Sequence, residues 1–116
     1  MGREAIWKVL ASIVKSTVTT KHFHSYQDSR FTLRRGRSLD HNTATLRYEE
    51  GAEQFDIVAE EGVDGGFSMD IDEMGAKSIS YGNLPLPEKI RIATNIRNAL
   101  VSQKFPCQVI LDNRVL

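Results

Sequence analysis

Residues 44–61 read ATLRYEEGAEQFDIVAEE, and their rhythm decides the fold. Ala44, Leu46 and Tyr48 alternate with Thr45, Arg47 and Glu49. After the turn sequence EGAE, Phe55, Ile57 and Ala59 alternate with Gln54, Asp56, Val58 and Glu60. Successive side chains of a strand point to opposite faces, so this period of two predicts an antiparallel hairpin with one apolar and one wet face. The glycines of EGAE and of EGVDGG at 61–66 supply the turn chemistry.

Working outward, the same alternation recurs twice downstream. In GFSMDID, Phe67, Met69 and Ile71 alternate with Ser68, Asp70 and Asp72, and in KSISY, Ile79 and Tyr81 alternate with serines. The expectation is a β-meander of four to six antiparallel strands. Upstream, Phe31 and Leu33 give a weaker strand signal, followed by loop chemistry at Gly36 and SLDHN. Apolar residues at helical spacing predict two helices. The first covers 3–17, with Ile6, Val9, Leu10, Ile13 and Val14 on one face. The second covers 86–102, with Pro87 in its first turn, Glu88 at its positive end, and a stripe of Ile90, Ala93, Ile96 and Leu100. CQVIL after Pro106 reads as a last strand. The predicted class is α+β, a single domain over 1–116 with both helices on the apolar face of the sheet.

The chain of 116 residues has no net charge, yet its charges are segregated. Residues 1–47 carry nine bases and three acids, 48–76 carry ten acids and no base, and 77–116 carry six bases and two acids. Such asymmetry bears on partners rather than on fold. If the strands alternate as read, Glu49, Asp56, Glu60, Asp70 and Asp72 share the outer face, with Glu61 and Asp64 at its rim. Strands lie about 4.8 Å apart, so these carboxylates would crowd one another. A basic protein is the partner that would relieve them.

Other chemistry is thinner. Arg30, Arg34, Arg35 and Arg37, close to Tyr26 and Phe31, form the one cluster able to meet phosphates, which makes a nucleic-acid-binding module the first alternative. The acidic segment opposes it, and no helix-turn-helix, zinc-finger or RNA-recognition signature is present. Asp70 and Asp72, as oxygen ligands, would serve a small metal-dependent enzyme, the second alternative, but MDIDE lacks the spacing of a calcium loop. Carboxylate pairs such as Glu60 and Asp70 have the chemistry of an acid and a base, but nothing in the sequence places a pocket around them. His22, His24 and His41 have no cysteine or carboxylate at ligand spacing and read as structural, so no metal is expected. No nucleotide, dinucleotide or nucleophile-elbow motif occurs, so neither a cofactor nor an enzyme is expected. Cys107 is the sole cysteine, which excludes an internal disulfide and fits a reducing compartment. No apolar run reaches the roughly 20 residues of a membrane span, and the interrupted start reads as mature fold rather than a leader. The expected location is the cytoplasm.

In element order, the meander from ATLRYEEGAEQFDIVAEE through GFSMDID and KSISY, followed by LPLPEKIRIATNIRNALVSQ, resembles small bacterial immunity proteins over residues 44–102. Proteins of that kind are encoded beside polymorphic or contact-dependent toxins and block them by tight binding. The resemblance implies a non-catalytic inhibitor of a toxin, often a nuclease.

Overall fold

The computed structural model describes residues 22–37 and 40–116. The expected helix over 3–17 lies outside the described residues. Seven strands, β1 (Ser25–Gln27), β2 (Thr32–Arg35), β3 (Thr43–Glu50), β4 (Glu53–Glu61), β5 (Phe67–Asp70), β6 (Cys107–Leu111) and β7 (Arg114–Val115), lie side by side in chain order. Among the described residues three helices, α1 (Ile71–Lys77), α2 (Ile79–Gly82) and α3 (Leu86–Ser102), all fall between β5 and β6. The chain is thus mixed α and β, as its patterning predicts.

The β3–β4 hairpin is the longest ladder, running from Thr43↔Glu60 to Glu50↔Glu53. Gly51 opens its turn with φ of 61°, a conformation that costs a residue without a Cβ nothing. Along β3 and β4, Ala44, Leu46, Tyr48, Phe55, Ile57 and Ala59 are all buried. They join Leu33, Phe67, Met69 and Val109 in one core, over which α3 lays Ile92, Ala93, Ile96, Ala99 and Leu100. Each such leucine, isoleucine or phenylalanine contributes about 1.5–3 kcal/mol by leaving water. The helix has the predicted bounds but is turned slightly: Ile92 and Ala99 are buried, and Ile90 is only partly so.

Three expectations are corrected. The sheet has seven strands among the described residues rather than four to six, because β1 and β2 pair ahead of the meander and β7 pairs behind it. It is not wholly antiparallel: β5 and β6 run parallel, Phe67 beside Cys107 and Asp70 beside Ile110. Parallel neighbours require a crossover, which the three helices form. Finally, KSISY is helical. β5 stops at Asp70, whose Oδ1 accepts hydrogen bonds from the backbone nitrogens of Asp72 (3.0 Å) and Glu73 (3.3 Å) and so starts α1. Gly75 and Gly82 then let α1 and α2 touch, with only 3.3 Å between the Cα of Gly82 and the position a Cβ on Gly75 would take. Tyr81 enters the core and donates its hydroxyl to the Lys89 carbonyl at 2.7 Å, whereas Ile79 is left in solvent.

Candidate functional site

The face of the sheet away from the core carries Arg34 of β2, Arg47 and Glu49 of β3, Gln54, Asp56 and Glu60 of β4, Ser68 of β5 and Gln108 of β6. Arg34 stands opposite Arg47 in the ladder, and both reach Glu49 Oε1, at 2.7 and 3.0 Å. These two guanidinium groups hold the Glu49 carboxyl below the usual carboxylate range, Arg34 more strongly than Arg47. Arg47 also meets Gln54 Oε1 at 2.5 Å and Asp56 Oδ1 at 3.5 Å. The outer face is therefore a mixed network, not the uniform acidic plate expected from the alternation.

Two further arginines withdraw acids from solvent. Arg35 points to the core side of β2, where Nη1 meets Glu61 Oε1 at 3.0 Å and Nη2 meets Oε2. Its Nε donates to the Phe23 carbonyl at 2.7 Å, and its guanidinium lies 6.0 Å from the Phe67 ring centre. Arg91 of α3 clamps Glu50 of β3 at 2.9 and 3.0 Å and Glu88 at 2.9 Å. Tyr48 donates its hydroxyl to Glu50 and accepts from Asn95 Nδ2 at 3.0 Å. Tyr48, and behind it Arg91, hold the Glu50 carboxyl below its ordinary range, while burial pushes the Tyr48 phenol up to about 12.

Of the ten acids in 48–76, four are thus bound by arginines: Glu49, Glu50, Asp56 and Glu61. The remaining six, Glu53, Glu60, Asp64, Asp70, Asp72 and Glu73, have no lysine or arginine among the described residues within 4.0 Å. Apart from Glu53 at the opposite turn, they follow one another through the end of β4, the β4–β5 turn and the β5–α1 junction. Of the residues predicted to bind a partner, Glu60, Asp64, Asp70 and Asp72 therefore stay available. Glu49, Asp56 and Glu61 are engaged, and Asp72 sits in a helix rather than a strand.

At this end of the sheet lies an open concavity of about 700 Å³. Asn42, Thr43, Glu60, Asp64, Ser68 and Gln108, with the Arg35-bound Glu61, supply its polar lining, and Cys107 forms part of its wall. Above it the turn is pinned: Gly62 N donates to Gly66 O (2.8 Å), Gly65 N to Gly62 O (3.1 Å), and Gly66 N to Asp64 Oδ1 (2.9 Å). Val63, at the tip, is 97% exposed. Sequence reading missed the concavity, because Asn42, Ser68 and Gln108 meet only through strand register. Val63 was not singled out either, because the turn sequence EGVDGG is read through its glycines.

The two alternatives fare differently from their sequence expectation. The arginines at 30–37 do not form one patch: Arg34 and Arg35 leave β2 on opposite faces and are both ion-paired, and Arg30 lies 3.8 Å from Asp28 and over the Phe31 ring. Only Arg37 among them has no acid partner among the described residues. Asp70, one of the two expected metal ligands, spends an oxygen on capping α1, and the described residues hold no group of three metal-ligating side chains. No helix among the described residues is long and apolar enough to cross a membrane. Comparison with family models, curated proteins and solved structures returns no match to this chain.

Proposed function

We propose that this chain is a protein-binding inhibitor of the immunity type, acting in the cytoplasm on a basic toxin domain. The observation that carries this reading is the run of carboxylates left without a cation along β4, the β4–β5 turn and the start of α1, Glu60, Asp64, Asp70, Asp72 and Glu73. Arg34, Arg35, Arg47 and Arg91 are already used on Glu49, Glu50, Asp56 and Glu61, which leaves the other carboxylates to attract an incoming cation. A field of one sign draws an oppositely charged partner in, raises the association rate and sets its dependence on salt. The arrangement needs no catalytic group: its action is to cover the partner's working surface. A polyanion such as RNA meets repulsion here, which favours this reading over nucleic-acid binding.

The test is binding to the protein encoded beside the chain, followed by stopped-flow association. Replacing Asp72→Lys and Glu73→Lys together is expected to slow association about tenfold or more at low salt and to flatten the salt dependence; both open α1, so the variant's melting temperature is measured beside the rate. An unchanged rate with unchanged salt dependence removes the proposal.

A further inference from the structure

We infer that the partner protein seats on the β4–β5 turn, with Val63 as its apolar contact and the adjoining concavity receiving a lysine or arginine side chain against Glu60. This inference rests on the protein-binding reading above and adds where, and by what chemistry, the partner is held.

A single exposed apolar residue is ordinary on a protein surface. Val63 differs by its setting. A β-branched side chain is a poor choice in a turn, where polar residues and glycine are favoured, and at 97% exposure it packs against nothing in the fold. The turn that presents it is held by the three hydrogen bonds of Gly62, Gly65 and Gly66, so a partner meets a surface that loses little freedom on binding. Gly62 and Asp64, on either side of Val63, both line the concavity, which places the valine at its rim.

The lining is rich in acceptors. The Glu60 carboxylate has no cation among the described residues. Asp64 uses one oxygen on Gly66 and keeps the other. Gln108 turns its amide nitrogen to Ser68 Oγ at 3.5 Å, leaving its carbonyl oxygen uncommitted. Ammonium and guanidinium groups carry only donors and a positive charge, and so complement this set. An apolar contact beside a polar, charge-matched receiver is the ordinary anatomy of a protein interface.

Two measurements test it. First, the labelled full chain is titrated with N-acetyl-arginine methylamide, with the norleucine analogue as the uncharged control, and followed by amide shifts. Changes are expected at residues 42–43, 60–68 and 108 for the arginine probe only, and are lost in Glu60→Gln. Changes confined to 70–73, or equal in Glu60→Gln, overturn the inference. Second, Val63→Ser, which touches no core residue, is expected to weaken binding of the basic protein encoded beside the chain about tenfold with an unchanged melting temperature. If that protein binds Val63→Ser and Glu60→Gln as it binds wild type, this seat is wrong while the immunity reading stands. If the arginine probe binds at the seat but that protein does not bind, the immunity reading fails and the seat remains.

Discussion

Glu50 shows how much one side chain is asked to do. It accepts from Tyr48 and from Arg91, joining β3 to α3, and both partners stabilise its charged form. Glu49 and Asp28 are likewise held below the usual carboxylate range, the first by Arg34 and Arg47, the second by the backbone nitrogens of Arg30 and Phe31. A depressed folded-state value means that the unfolded chain takes up protons first as pH falls. The contribution is therefore full above the ordinary value of 4.5 for glutamate and is lost as pH drops through the folded value. Urea midpoints are expected to fall as pH drops below about 5, with a shallower slope in Glu50→Gln. At the other end, Tyr48 stays protonated up to about 12, so its contribution, complete below 10, is lost as pH rises towards that value. Cys107 is a third case: burial pushes its thiol up to about 12, and its Sγ lies 3.7 Å from Met69 Sδ. Cys107 is only partly covered, so it is the raised value that is expected to make thiol reagents label it slowly in the native chain at neutral pH and rapidly in urea, and rapid native labelling would contradict it. Its place at the head of a strand was available from the sequence. The pairing of Arg34 with Glu49 was not, because fifteen positions separate them and only the β2–β3 register brings them together.

Among elements, the helical pair α1–α2 rests on two local devices. Asp70→Ala removes the cap of α1 and is expected to cost about 1 kcal/mol, within about 0.5–2 kcal/mol. Gly82→Ala is expected to cost more, because the added Cβ would fall 2.3 Å from the Gly75 carbonyl oxygen and the helices would have to part. Overpacking of this kind typically costs about 1–3 kcal/mol, and both variants are read from urea midpoints. These devices also explain what the sequence did and did not disclose. Helical periodicity over 86–102 matches that helix's bounds, and the long alternation in β3 and β4 places those strands to within a residue. In KSISY the alternation covers only four residues, which suits a strand or a helical turn equally. The decision fell to an aspartate cap and a glycine contact that lie outside that window.

At the scale of the molecule, the sheet separates a core face closed by α3 from a polar face where arginines and carboxylates interleave. Ile96→Ala, at the centre of the closed face, is expected to destabilise by about 2–5 kcal/mol in calorimetry or urea titration, without altering the charged surface. The segregation of charge along the chain was legible in the sequence, and so was the excess of acid. Its geometry was not, since β2 brings a base to the polar face and α3 brings another to the sheet's margin. What survives is a smaller set of unmatched acids running from the end of β4 to the start of α1, and it is along this stretch that a partner is proposed to bind.

Because strands lie side by side in the order of synthesis, each can add to the growing edge as it leaves the ribosome. One step breaks this succession. After β5 emerges, residues 71–106 must follow before β6 can lie parallel to it. Until then β5 is an open edge, the place where a nascent chain would capture a stray strand. The early start of α1, at the very next residue, shortens that exposed margin to four residues while the rest of the protein is being made.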